Sequence, residues 1–95
     1  MSLAHVEILR ADGTREEHEV GRHILMPWIL RMIGADAIDT VSLRDGRVML
    51  VDDTCLIDGR AQNAAATQLY WSVCRPGTTH PICGDVAITL DRNFA

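Results

Sequence analysis

The sequence predicts an α+β fold, a single small domain in which a mainly antiparallel sheet has two helices packed on it. Three observations lead there. The dipeptides Asp12-Gly13 and Asp45-Gly46 each separate two segments of β character, the pattern of hairpins whose turns need positive φ. Two other segments carry apolar residues at helical spacing, and a final run alternates apolar and polar residues in the period of a strand. The expected order is ββαββαβ, with residues 1–95 as one domain.

Each element has its own signals. Val6 and Ile8 alternate around Glu7, so residues 4–10 read as a strand, and its partner is Arg15 to Val20. That partner, Arg-Glu-Glu-His-Glu-Val, is almost wholly charged, as suits an exposed edge strand guarded against pairing with other chains. Ile24, Leu25, Trp28, Ile29, Met32 and Ile33 lie on one helical face and Gly34 provides the stop. Pro27 belongs in the first turn, which places the helix start at Met26 or Pro27. Ile38 to Arg44 and Arg47 to Val51 flank Asp45-Gly46, and the unbroken apolar run Val48-Met49-Leu50-Val51 marks a central strand. After a turn-rich stretch from Asp52 to Gln62, Asn63 caps a helix with Ala65, Ala66, Leu69, Tyr70 and Val73 on one side. Residues 75–81 form a loop, and Ile82 to Leu90 closes the sheet.

Composition excludes several function classes. With 47% hydrophobic and 23% charged residues the chain has enough apolar side chains for a packed core and is not a disordered polyelectrolyte. Ile24 to Ile33 is interrupted by Arg31 and falls far short of the roughly 20 apolar residues of a membrane span. No secretory signal is visible at the N-terminus, so a soluble, cytoplasmic protein with no membrane partner is expected. A net charge of −4 disfavours direct nucleic-acid binding, which needs a basic footprint. Cys55, Cys74 and Cys83 are an odd set without close spacing and read as buried reduced thiols.

The densest polar group is Cys74, Arg75, Thr78, Thr79, His80, Cys83 and Asp85. A loop stiffened by Pro76, Gly77 and Pro81 can present side chains rigidly, which makes Arg75, Thr78, Thr79 and His80 the candidate ligand-binding residues, around an anion or nucleotide. A zinc site from Cys74, His80, Cys83 and Cys55 is disfavoured because the spacing lacks the usual close pairs of cysteines. A Cys74 nucleophile with His80 as base is disfavoured as well, since a thiolate at a helix C-terminus meets the negative end of the dipole. No phosphate-cradling glycine loop and no coherent catalytic set is present, so no catalytic residue, metal or cofactor is assigned. His5, His18 and His23 are scattered over strands and a helix start. Trp28 and Trp71, one on each helix, read first as core packing against the sheet, and Trp71 has a second reading. Trp71, if it lies opposite the Leu69-Tyr70-Val73 face, is an exposed aromatic anchor for a protein interface.

Asn63-x-x-Ala66-x-x-Leu69-Tyr70, with Ile82-Cys83-Gly84-Asp85-Val86 beyond it and Ile38-Asp39-Thr40-Val41-Ser42-Leu43-Arg44-Asp45-Gly46 upstream, resembles a family of small proteins of unknown function associated with phages and plasmids. The resemblance implies the α+β layout and a mobile-element setting, and it implies nothing about mechanism. The function expected is therefore a non-enzymatic accessory role through an unidentified protein partner, with a homodimer also compatible with the edge strands and Trp71. The alternative is a small-ligand or nucleotide-binding module using the 75–80 loop.

Overall fold

The first hairpin joins β1 (Leu3–Leu9) to β2 (Arg15–Gly21), antiparallel, with Leu9 opposite Arg15 and Leu3 opposite Gly21. Its turn is built as the sequence requires. The Gly13 N–H donates to the Arg10 carbonyl at 3.0 Å, and the Arg10 N–H donates to the Thr14 carbonyl at 2.9 Å. Gly13 takes φ +93°, a region that disfavours any side chain, and Asp12 accepts from the Thr14 N–H and hydroxyl. The computed structural model describes residues 2–53, 59, 61–74, 77 and 81–94.

A short 3-10 helix, Arg22–Ile24, then leads into α1 (Leu25–Ile33), which begins one residue before the expected start. Pro27 still falls in the first turn, where a missing N–H costs nothing. Leu25, Ile29 and Ile33 repeat at a spacing of four and are at most 1% exposed, each worth roughly 1.5–3 kcal/mol of burial. Gly34 ends the helix in the left-handed conformation, φ 66°.

β3 (Ile38–Ser42) and β4 (Arg47–Asp52) form the second hairpin. The Leu43 N–H donates to the Arg47 carbonyl at 2.8 Å, so the connection is Arg44–Gly46, one residue longer than the two-residue turn expected. Asp45 and Gly46 do take the positive φ that the dipeptide signals, 65° and 74°. Asp52 was expected in a turn, but it is the last residue of β4 and is buried.

α2 (Ala64–Val73) opens on Asn63, whose side chain accepts from the Ala66 N–H. Ala66 is buried, with Leu69, Tyr70 and Val73 packed against the same core. Ala65 is exposed instead, and Thr67 takes a buried place because its hydroxyl bonds the Ile82 backbone. β5 is shorter than the expected strand, Val86–Leu90, because Gln62 and Cys83 form an isolated bridge and Gly84, at φ 76°, redirects the chain.

The five strands form one antiparallel sheet in the order β2-β1-β5-β4-β3. The last strand is thus the central one. Alternation along the strands divides the apolar residues between two faces. Ala4, Val6, Ile8, Val48, Leu50 and Ala87 meet α1 on one. Leu9, Met49, Val51, Val86 and Ile88 meet α2 on the other. The radius of gyration, 12.8 Å, is close to the roughly 12.4 Å expected for a compact chain of this length.

Candidate functional site

The most connected side chain is Arg10, at the end of β1. Its Nε and Nη2 grip both oxygens of Glu16 at 2.8 and 3.1 Å, while Nη1 reaches Asp85 Oδ2 at 2.9 Å and the Met32 carbonyl at 2.8 Å. One guanidinium therefore joins the first hairpin, the C-terminal turn of α1 and the bend before β5. The other Asp85 oxygen accepts from the Ala11 N–H. Glu16 in turn bonds His18, whose ring meets Trp28 edge-on at 5.1 Å. The Arg10 guanidinium, helped by His18, holds the Glu16 carboxyl down at about 2, and Glu16 and Asp85 together raise Arg10 well above its usual value. Four hydrogen bonds from this one guanidinium go to protein acceptors, which makes it a fastener between elements.

A second polar cluster fixes α2. The Asn63 amide is 1% exposed and donates to the Leu9 and Gly84 carbonyls at 2.9 and 3.0 Å while its oxygen caps the helix. The Asn63 N–H donates to the Ile82 carbonyl, and the Gly84 N–H to the Ala61 carbonyl. Along this stretch Asn63 clamps, Ala66 packs, Gly84 turns and Asp85 holds Arg10.

Arg75, Thr78, Thr79 and His80 lie outside the described residues. Of the rest of that polar stretch, Asp85 belongs to the Arg10 fastener, as described above. Cys74 ends α2 as a free, half-buried thiol. It stands within hydrogen-bonding reach of the Tyr70 hydroxyl, and this neighbour is the main cause that raises the Tyr70 pKa. Cys83 is fully buried and disulfide-bonded, which corrects the reading of every cysteine as a reduced thiol. Among the described residues no cluster of three or more His, Cys, Asp or Glu side chains could hold a metal ion, and no helix is long and apolar enough to cross a membrane.

No family model, no curated protein and no solved structure matches the chain.

What remains as a candidate site is surface. Trp71 stands on the outer side of α2 with 44% of its surface exposed, opposite the Leu69-Tyr70-Val73 face. Around it the exposed residues of α2 are Ala64, Ala65, Gln68 and Ser72. None is charged. The chain has 9 basic and 13 acidic residues, yet Arg31 is the sole charged residue of α1 and α2. A surface helix ordinarily carries charge on the face opposite its core stripe. Beside α2 the sheet is open, and a cleft there is lined by Glu7, Leu9, Arg15, Arg47, Ala65, Gln68 and Leu69. Its floor holds the ion pair between Arg15 and Glu7, 2.6 Å. Farther out on β1 and β2, His5 lies between Glu19 at 2.8 Å and Glu17 at 3.2 Å, and these two carboxylates, Glu19 first, raise its pKa.

The charge-free exterior of α2 is written in the sequence as Ala-Ala-Ala-Thr-Gln-Leu-Tyr-Trp-Ser-Val. The signal that could have found it was the absence of any charge across a whole surface helix. Arg10 gave no such signal, because its partner Asp85 is 75 residues away.

Proposed function

We propose that this protein is a non-enzymatic protein-interaction domain of a phage or other mobile element, and that it docks through the outer face of α2. The observation that carries this reading is an exposed tryptophan on a helix with no charge. Interface centres are depleted in charged residues and enriched in aromatics, and a fully desolvated tryptophan is a common anchor. The mobile-element setting is supported by the resemblance at Asn63–Tyr70 and Ile82–Val86.

The test uses the tagged full chain in its native cells, with Gln68→Arg and Ala65→Glu beside the wild type, since both positions are exposed and neither side chain holds the fold. The expected result is a protein retained by the wild type and lost from both variants at unchanged melting temperature. An identical set of captured proteins from all three, or none from the wild type, overturns the proposal. Stabilisation of the isolated chain by a nucleotide or phosphate in a thermal-shift series would instead favour the ligand-binding role of residues 75–80. Cellular location is tested through Cys83, since disulfides are rare in reducing cytoplasm. Thiol trapping in intact cells that finds Cys83 reduced supports a cytoplasmic protein, and trapping that finds it oxidised points to an oxidising compartment.

A further inference from the structure

Large apolar side chains are exposed at Leu3, Ile24, Met26, Phe94 and Trp71. All but Trp71 gather at one end of the molecule. There β1 starts, β2 gives way to the 3-10 turn before α1, and the chain after β5 coils into a short 3-10 helix, Asp91–Phe94. A cavity of about 440 Å3 opens at this place, lined by Ser2, Arg22, His23, Leu25, Met26, Pro27, Asn93 and Phe94. Leu25, Met26, Pro27 and Phe94 give it an apolar part, Ser2 and Asn93 add neutral polar groups, and its charged or titratable lining residues are Arg22 and His23, on a chain of net charge −4.

One of these two side chains is tied down. Arg22 donates through Nη2 to the Arg92 carbonyl at 2.8 Å, which ties the cavity wall to the C-terminal 3-10 helix and leaves its other N–H groups for a ligand. The His23 ring lies over Gly21, where a Cβ would come within 2.8 Å of Cε1. Gly21 has φ −59°, a value open to any residue, so the backbone does not require glycine here. The exposed imidazole occupies the space that a Cβ would take and would have to swing aside for one.

We propose that this end of the domain binds a segment of a partner protein that carries acidic residues beside a large apolar side chain. The apolar side chain enters between Met26, Pro27 and Phe94, and a neighbouring carboxylate meets Arg22 and His23. The charge contrast selects this occupant. A basic segment would be repelled at the rim, and a neutral one would leave Arg22 without the bidentate partner that its planar fork suits. The depression is open to solvent, so it would take a side chain presented by a partner's surface. The surface belongs to the α1 side of the sheet and is separate from the outer face of α2, so it does not depend on the role assigned to Trp71.

The test is fluorescence anisotropy on the full chain with three labelled peptides of one apolar core, Leu-x-x-Phe, flanked by Glu, Lys or Ser. The Glu-flanked peptide is expected to bind at least about tenfold tighter than the Lys-flanked one, a preference weakened by salt. Phe94→Ser should lower the affinity for all three. Arg22→Glu should reverse the preference, and Arg22→Gln should abolish it without reversal, at melting temperatures close to wild type. A purely structural role for Arg22 would not reverse a charge preference. Equal affinities, a preference for the Lys-flanked peptide, an Arg22→Glu variant that keeps the wild-type order, or no binding of any peptide would each overturn the proposal. So would binding to phosphatidylserine vesicles in place of the peptides.

Discussion

Asn63 is a buried residue whose one amide satisfies three backbone groups from three places in the chain. Removing it strips the α2 cap and leaves the Leu9 and Gly84 carbonyls without that donor in a buried setting. Lost caps cost about 1 kcal/mol and each buried unsatisfied group about 1–3 kcal/mol. Asn63→Ala should therefore lower unfolding free energy by about 3 kcal/mol, measured by urea denaturation. Asn63→Asp should recover the cap alone, since a carboxylate cannot donate to the two carbonyls. Glu16 gives a pH signature at the same scale. Its folded value of about 2 lies below its ordinary 4.5, so its contribution is complete above pH 4.5 and disappears as pH falls toward 2. The melting temperature of Glu16→Gln should accordingly fall less than that of the wild type across this window. Equal slopes would show that the Arg10 pair contributes nothing to acid sensitivity.

At the level of elements, the two edge strands are protected by different means. β2 carries exposed Glu17 and Glu19, which flank His5 on the sheet face, and charge on an edge strand deters a second strand. β3 has little charge and is rich in β-branched residues, so another device is needed. The bonds from Leu43 N–H to Arg47 and from Asp53 N–H to Ala37 fix which β3–β4 pairs are hydrogen-bonded, and alternation then turns the Ile38, Thr40 and Ser42 backbone outward. The Asp39 carboxylate covers one of these donors, accepting from the Thr40 N–H at 2.9 Å. Asp39→Thr should uncover it while raising β-propensity, and concentration-dependent association should appear in size-exclusion chromatography with light scattering. A variant that stays monomeric at every concentration tested would show that Asp39 is not the guard. Between the helices the contrast lies in how each is held. α1 relies on its apolar stripe, with no side-chain N-cap bond, whereas α2 is anchored by the Asn63 and Thr67 hydrogen bonds to the 82–84 segment.

For the whole molecule, the decisive arrangement is a sheet with its last strand in the middle and a helix on each face. β5 pairs with both β1 and β4, so neither hairpin is joined to the other until the final segment is in place. The Cys83 disulfide lies just before that strand and adds a covalent constraint to it. Thiol titration of the unfolded, unreduced chain should find fewer than the 3 cysteines of the sequence, and reduction should lower stability by about 2–4 kcal/mol. Recovery of all the thiols without reductant would remove this bond from the account.

The sequence by itself determined the local elements. Period-two and period-3.6 patterns, the turn dipeptides, Gly34 and Asn63 are each read within a few residues of one another, and they place the elements, although the second turn is one residue longer, Ile24 and Ala65 are exposed and β5 begins only at Val86. It also displayed the surface signals: Trp71 and a helix without charge. Tertiary structure alone decided the rest. The central place of β5, the Arg10–Asp85 link, the burial of Asp52 and the bonded state of Cys83 depend on residues far apart in the chain, and no local spacing encodes such pairings. The cavity at Arg22 and His23 is of the same kind. Its walls come from Ser2, the stretch Arg22 to Pro27, and Asn93 and Phe94, which the assembled sheet brings together.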